Sequence, residues 1–194
     1  MLLFGHVGIT AAAAKLTDVA FPPEDLHNSK SGFRHRIALL LSHFRDTAGN
    51  LDYRMIIIGS MLPDIIDKPL FLLFSESGFF TGRSHAHTLL FALVLLSAGI
   101  FIRKSWLLTL ALANLSHLFL DFIWYDLEIL FWPFLGRFVP YEAEGWFSDL
   151  WYNLTHLPEI YIPEIIGLIV TGLLAYKILK VRGINRFIRQ GVVG

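Results

Sequence analysis

The sequence predicts an all-α, polytopic membrane protein of about five hydrophobic helices with interfacial segments between them. Composition and the grouping of apolar residues carry that reading. Of 194 residues, 55% are hydrophobic and 16% charged, against about 45–50% and 25% in a soluble domain. The mean hydropathy is +0.57, and the apolar residues gather in long runs. The whole of 1–194 reads as a single membrane-embedded helical domain. Cysteine is absent, which excludes disulfides, thiolate metal sites and cysteine nucleophiles. Sixteen Lys and Arg balance sixteen Asp and Glu, so no net charge draws the chain to nucleic acid. The opening MLLFGHVGIT has no basic segment and no small-residue cleavage site, so a removable signal peptide is not expected.

A bilayer core of about 30 Å takes roughly 20 apolar residues as a helix. Leu2 to Ala14 is the weakest candidate, short for a span and followed by Lys15 and Asp18. Asp18 to Arg36, with Pro22-Pro23 and Asn28 to Gly32, reads as a loop. Ile37 to Phe44 is apolar but too short to span, and fits the interface or the interior. Met55 to Phe74 is apolar except for Asp64, Asp67 and Lys68, and His87 to Ile102 is nearly pure Leu, Phe, Val and Ala. Trp106 to Trp124 is interrupted only by Asn114, His117 and Asp121. Asp126 to Tyr161 is aromatic and broken by Pro133, Gly136, Pro140 and Pro158, as suits the headgroup belt. Ile165 to Leu179 is the cleanest run, with Gly167, Thr171 and Gly172 as small packing residues.

Positive charge sets the expected orientation. Arg34, Arg36, Arg45 and Arg54 precede the second helix, Arg103 and Lys104 follow the third, and Lys177, Lys180, Arg182, Arg186 and Arg189 close the chain. The intervening loops hold only Arg83 and Arg137. The positive-inside rule then puts the N-terminus outside and the C-terminus in the cytoplasm.

Ionisable groups at membrane depth are costly and mark function by default. Asp64 and Asp67 are three apart, and His117 and Asp121 four apart, so each pair shares a helix face. His87 opens the third helix and His6 lies in the first. All six fall in the outer half of the oriented membrane. Imidazole and carboxylate donors suit zinc, manganese or iron, as one or two ions. Carboxylates crowded in a low dielectric must protonate or bind a cation. For His117 and Asp121 the competing reading is a helix-packing hydrogen bond, and for Asp67 a salt bridge to Lys68.

These residues carry a family resemblance. Gly5-His6-Val7-Gly8-Ile9-Thr10, Leu62-Pro63-Asp64 with Asp67, Arg83-Ser84-His85-Ala86-His87-Thr88 and Ser116 to Asp121 resemble, in order, the membrane-bound metal-dependent hydrolases. That family is also described as LexA-binding and inner membrane-associated. The family often reads Pro-Asp-Ile-Asp-His, whereas here an extra Ile precedes Asp67 and Lys68 follows it. A looser similarity is to zinc-dependent phospholipase C and related helical nucleases, and it implies His117, Asp121, Asp64, His87 and His6 as ligands.

The expected metal ligands are therefore His6, Asp64, Asp67, His87, His117 and Asp121. Asp64 or Asp67 doubles as general base if not committed to metal. Arg83 binds a phosphate or stabilises transition-state charge, or else is an interfacial arginine. His85 is read as a second-layer or interfacial histidine, Thr88 as a cap, and Glu164 as either a ligand or a helix-dipole partner. His27, His35, His43 and His156 carry no assignment. The expected function is a membrane hydrolase acting at the outer leaflet, on a phosphoester of a lipid or amphiphile, with membrane lipids as its surroundings. The alternatives are a divalent-cation transporter and an inactive metal-stabilised scaffold.

Overall fold

The computed structural model describes residues 1–20, 47, 51–74, 81–136, 138 and 145–193. The expected loop from 21 to 36, the short apolar 37–44, His27, His35, His43, Arg34, Arg36, Arg45 and Arg137 lie outside them. Among the described residues there is no strand. The helices are α1 (Leu3–Ala20), α2 (Tyr53–Phe74), α3 (Leu89–Ile102), α4 (Ser105–Leu120), α5 (Leu127–Leu130), α6 (Trp146–His156), α7 (Pro158–Lys180) and α8 (Ile184–Gln190). Two 3₁₀ turns, His85–His87 and Ile123–Tyr125, complete the set.

Several boundaries differ from expectation, each for a local reason. The helix expected from Leu2 to Ala14 runs on to Ala20, absorbing the start of the expected loop. His87 does not open a helix: α3 starts after Thr88, whose Oγ1 accepts the Phe91 amide at 3.1 Å, the capping role expected of it. The run expected to reach Trp124 stops at Leu120, because Asp121 is its C-cap and Phe122 is left-handed. Within the aromatic 126–161 segment, α5 and α6 are short helices, and Pro158 sits at the first turn of α7, where its missing N–H costs nothing. The C-terminal α8 was not expected.

Length and composition single out α7 as the candidate membrane span among the described residues. Its 23 residues extend roughly 35 Å at 1.5 Å each, and no other helix among the described residues is both long and apolar enough. The apolar α3 and α4 have 14 and 16 residues, and α2 carries Arg54, Asp64, Asp67 and Lys68 within its 22. Five spans are thus not evident from helix length, and one is. The surface of α7 matches: Ile165, Ile166, Leu168, Ile169, Leu173 and Leu179 are all exposed, which suits hydrocarbon surroundings.

The helices pack in the order α7, α1, α2, α4, α3. The α1–α7 contact is backbone to backbone. A Cβ on Gly8 would land on the backbone of Gly167, and one on Gly167 on the Phe4 carbonyl and the Gly5 amide. Small residues allow this approach where side chains would hold the helices apart. Gly167 packs as expected, but Gly172 faces open space, and Thr171 turns its hydroxyl back to the Gly167 carbonyl at 2.8 Å. Gly59 does the same work between α2 and α4, lying against the Leu110 carbonyl and Ala113. One apolar cluster (Ala11, Tyr53, Ile56, Val193) sits beside the C-terminal segment, and another (Ala92, Leu118, Ile123) beside the turns that follow α4.

Candidate metal centre

The helix stack brings together side chains from separate elements. His6 comes from the first turns of α1, Asp64 and Asp67 from the second half of α2, His87 from the 3₁₀ turn, and His117 and Asp121 from the end of α4 and its cap. All three imidazoles are fully buried, and the carboxylates nearly so.

The tautomers of two histidines follow from their partners. The close contact at Gly59 brings α4 against α2, and His117 Nδ1 donates to the Ser60 carbonyl at 2.7 Å. His87 Nδ1 donates to Asp67 Oδ2, also at 2.7 Å. Carbonyl and carboxylate are acceptors only, so both Nδ1 atoms carry the hydrogen. The two Nε2 atoms then face each other at 3.2 Å. Two bare lone pairs at that separation repel, and a proton or a metal ion must lie between them. The outward Nδ1 bond to a carboxylate or carbonyl is the usual support of a metal-binding imidazole.

Carboxylates and a third ring surround this point. His87 Nε2 is 3.6 Å from Asp64 Oδ1 and 4.0 Å from Asp121 Oδ2, and His117 Nε2 is 3.9 Å from Asp121 Oδ2. His6 stacks on the His117 ring with centroids 4.0 Å apart and its Nε2 3.0 Å from Asp121 Oδ1, yet neither of its nitrogens is in hydrogen-bond geometry. Two overlapping donor triads result, His6–Asp64–His117 and His87–His117–Asp121, each within 4.8 Å. For zinc–nitrogen bonds of about 2.0–2.1 Å, neighbouring tetrahedral donors stand roughly 3.3 Å apart. The donor set and its spacing fit a divalent metal.

Of the expected ligands, the structure brings His6, Asp64, His87, His117 and Asp121 together and keeps Asp67 out. Asp67 lies about 60° round the helix from Asp64. Its carboxylate accepts the Ser84 amide at 2.8 Å, the Ala86 amide at 3.1 Å and the His87 ring. Those bonds place it behind the His87 ring, on the side away from the other donors. The expected alternative, a bridge from Asp67 to Lys68, is absent too: Lys68 Nζ goes to Asp64 Oδ2 at 2.7 Å. The (i, i+4) spacing of Asp64 and Lys68 was the signal for that pair.

Other residues find different partners. Arg83 reaches Asp121 Oδ2 at 3.0 Å and Asp126 Oδ2 at 3.6 Å, and the Met1 amino group lies 2.9 Å from Asp121 Oδ1. Glu164 is neither a ligand nor a partner of its own helix dipole. Its carboxylate accepts the amides of Leu2, Phe4 and Gly5 at 2.5, 3.0 and 3.1 Å, and so caps α1 from α7. His85 packs edge-on to Trp132 and Phe138, and exposed His156 stacks on Tyr152. Buried Asn114, one turn before His117, has both amide atoms without a hydrogen-bond partner among the described residues.

A cavity of about 450 Å³ opens onto the centre. Its lining mixes the charged Asp64, Lys68, Arg83, Asp121 and Asp149 with the apolar Phe71, Leu72, Ile129, Leu150 and Ile160.

Residues 1–187 match the family described as YdjM inner membrane protein. The chain belongs to that family. Membership agrees with the membrane part of the resemblance read from the motifs, and accounts for the exposed apolar face of α7. The family description names a location and no reaction. No curated protein and no solved structure matches the chain.

Proposed function

We propose that this protein is a metal-dependent hydrolase of the inner membrane, with His6, Asp64, His87, His117 and Asp121 holding one or two divalent ions, zinc before manganese or iron. The observation that carries the reading is the pair of Nε2 atoms 3.2 Å apart, each with its Nδ1 hydrogen committed elsewhere. A metal in such a site supplies a Lewis acid and a water of lowered pKa. The chain contributes the rest. Asp67 and the Ser60 carbonyl hold the rings in register, Glu164 anchors the segment bearing His6, and the cavity lining offers both charged and apolar contacts to a substrate. A phosphoester of a lipid or amphiphile would use both.

The membrane placement belongs to the same proposal. α2, α3 and α4 enter the bilayer with α7, the site faces the outer side, and the basic C-terminal segment faces the cytoplasm. Glu164, beside the site end of α1, and Lys180 are roughly 24 Å apart along α7, close to the depth of a bilayer core. Hydrolysis is preferred to cation transport because Lys68 and Arg83 stand beside Asp64 and Asp121 in the cavity lining, where they could meet the anionic group of a substrate.

Metal analysis of detergent-purified protein, with a phospholipid hydrolysis assay alongside, tests the reading. Wild type is expected to carry stoichiometric zinc and to hydrolyse one of the lipids. His117→Ala and Asp64→Ala should lose the metal, and activity should fall by more than about 100-fold. Full activity in His117→Ala, or no transition metal in wild type, ends the assignment. Metal uptake into proteoliposomes would restore the transporter.

A further inference from the structure

We propose that Lys68 and Arg83 form a clamp for the oxygens of a phosphate group carried by the ligand in the cavity. The inference rests on the metal-centre reading and adds the residues that select the ligand's charge. Each cation stands between a buried carboxylate and the cavity space. Lys68 Nζ is 2.7 Å from Asp64 Oδ2, with the lysine side chain 38% exposed and the aspartate 6%. Arg83 NH2 is 3.0 Å from Asp121 Oδ2, with exposures of 41% and 5%. In both aspartates the other oxygen meets an imidazole, Asp64 Oδ1 at 3.6 Å from His87 Nε2 and Asp121 Oδ1 at 3.0 Å from His6 Nε2, the latter oxygen also accepting the Met1 amino group at 2.9 Å.

The two cations arrive from separate elements and line the same cavity. Lys68 stands one turn beyond Asp64 on α2. Arg83 precedes the 3₁₀ turn, held there by a bond from the Thr81 hydroxyl to its carbonyl and by the neighbouring Ser84 amide on Asp67. Asp126, 48% exposed, lies 3.6 Å from Arg83 NH1, and Asp149 also lines the cavity. A divalent ion among the imidazoles gives Asp64 and Asp121 a stronger partner than an exposed side-chain cation. Lysine has three N–H donors and arginine five, more than one carboxylate oxygen each can occupy. Both residues line the cavity, where a phosphate would present acceptors for the donors their aspartates do not take. Its apolar lining (Phe71, Leu72, Leu150, Ile160) suits a phosphate bearing a hydrocarbon group.

The test is calorimetric titration of zinc-treated protein in detergent with two probes, inorganic phosphate and phosphatidic acid in mixed micelles. Zinc content and thermal unfolding are measured on every sample. Lys68→Gln and Arg83→Gln are expected to fold, to keep their zinc, and each to weaken phosphate binding about tenfold or more. Tighter binding of phosphatidic acid than of inorganic phosphate identifies a lipid headgroup as the ligand, and equal binding identifies free phosphate. Unchanged affinity for both probes in both zinc-bearing variants overturns the clamp and leaves the metal centre standing. Loss of zinc from either variant also overturns it, since the side chain would then act through the ligands. If wild type takes up no zinc, the metal centre falls. The clamp falls with it unless phosphate still binds and the two variants abolish that binding.

Discussion

Both ends of the helix stack set a carboxylate beside nitrogen donors, and they do so to opposite effect. At the C-terminal end, Asp52 Oδ1 accepts the Arg54 amide and Nε, each at 3.0 Å, and Oδ2 accepts NH2 at 2.6 Å. Arg54 NH1 goes on to the Ile188 carbonyl at 2.6 Å, and the Tyr53 amide to the Gly191 carbonyl at 2.9 Å. Gly191 is left-handed (φ 70), and any Cβ there would strike Asp52. The result is a closed clasp between the start of α2 and the chain's last helix. At the other end, His6 stacks on His117 with its Nε2 3.0 Å from Asp121 Oδ1, and the Nε2 atoms of His87 and His117 face each other at 3.2 Å with both Nδ1 hydrogens committed elsewhere. A closed set of bonds gives a joint, and donors left over in a buried place give a site.

Substitutions on either side of this contrast should have graded effects, the largest at Asp67. Asp67→Asn keeps the shape of the group behind His87 but removes its charge. Zinc affinity, measured by competition with a chelator, is expected to fall about 10- to 100-fold. An unchanged affinity would show that the outward bond of His87 does not prepare it for a metal. Glu164→Gln weakens the charge-assisted cap on α1. A stability loss of about 1–3 kcal/mol is expected in detergent unfolding, with weaker zinc binding because His6 is less firmly placed. A stable variant with full zinc affinity would separate His6 from the centre.

The smallest effect belongs to the clasp. Partial burial pushes the Asp52 carboxyl up, but the hydrogen bonds and charge of Arg54 outweigh it and hold the group below the usual carboxylate range. A lowered folded-state pKa means stability that is fully present above the unfolded value of about 3.9, and lost as pH falls through the folded value. Asp52→Asn should therefore lower the unfolding temperature slightly at neutral pH, and the gap from wild type should close below about pH 4. A gap that persists into acid would mean that shape and not charge holds the clasp.

The apolar runs made the long helices legible, since a run of Leu, Ile and Phe has few other places to go. The (i, i+4) spacing of His117 and Asp121 likewise announced a shared face even though Asp121 proved to lie past the helix end. Asp67 was misplaced because three residues of helix carry it about 60° away from Asp64, far enough to meet the backbone of Ser84 and Ala86 instead. Glu164 was beyond reach of any local pattern. Its partners are amides about 160 residues earlier, and backbone donors leave no trace in residue identity. The start of α3 lies two residues and the end of α4 four residues inside the apolar runs, where a capping Thr88 and a left-handed Phe122 bound helices that hydrophobicity alone would continue.

The Gly8–Gly167 crossing has a mechanical side. With backbone against backbone, no layer of rotatable side chains separates α1 from α7 to absorb sliding. The two helices therefore tilt as one lever. α1 is thereby held to α7 at the end that carries His6.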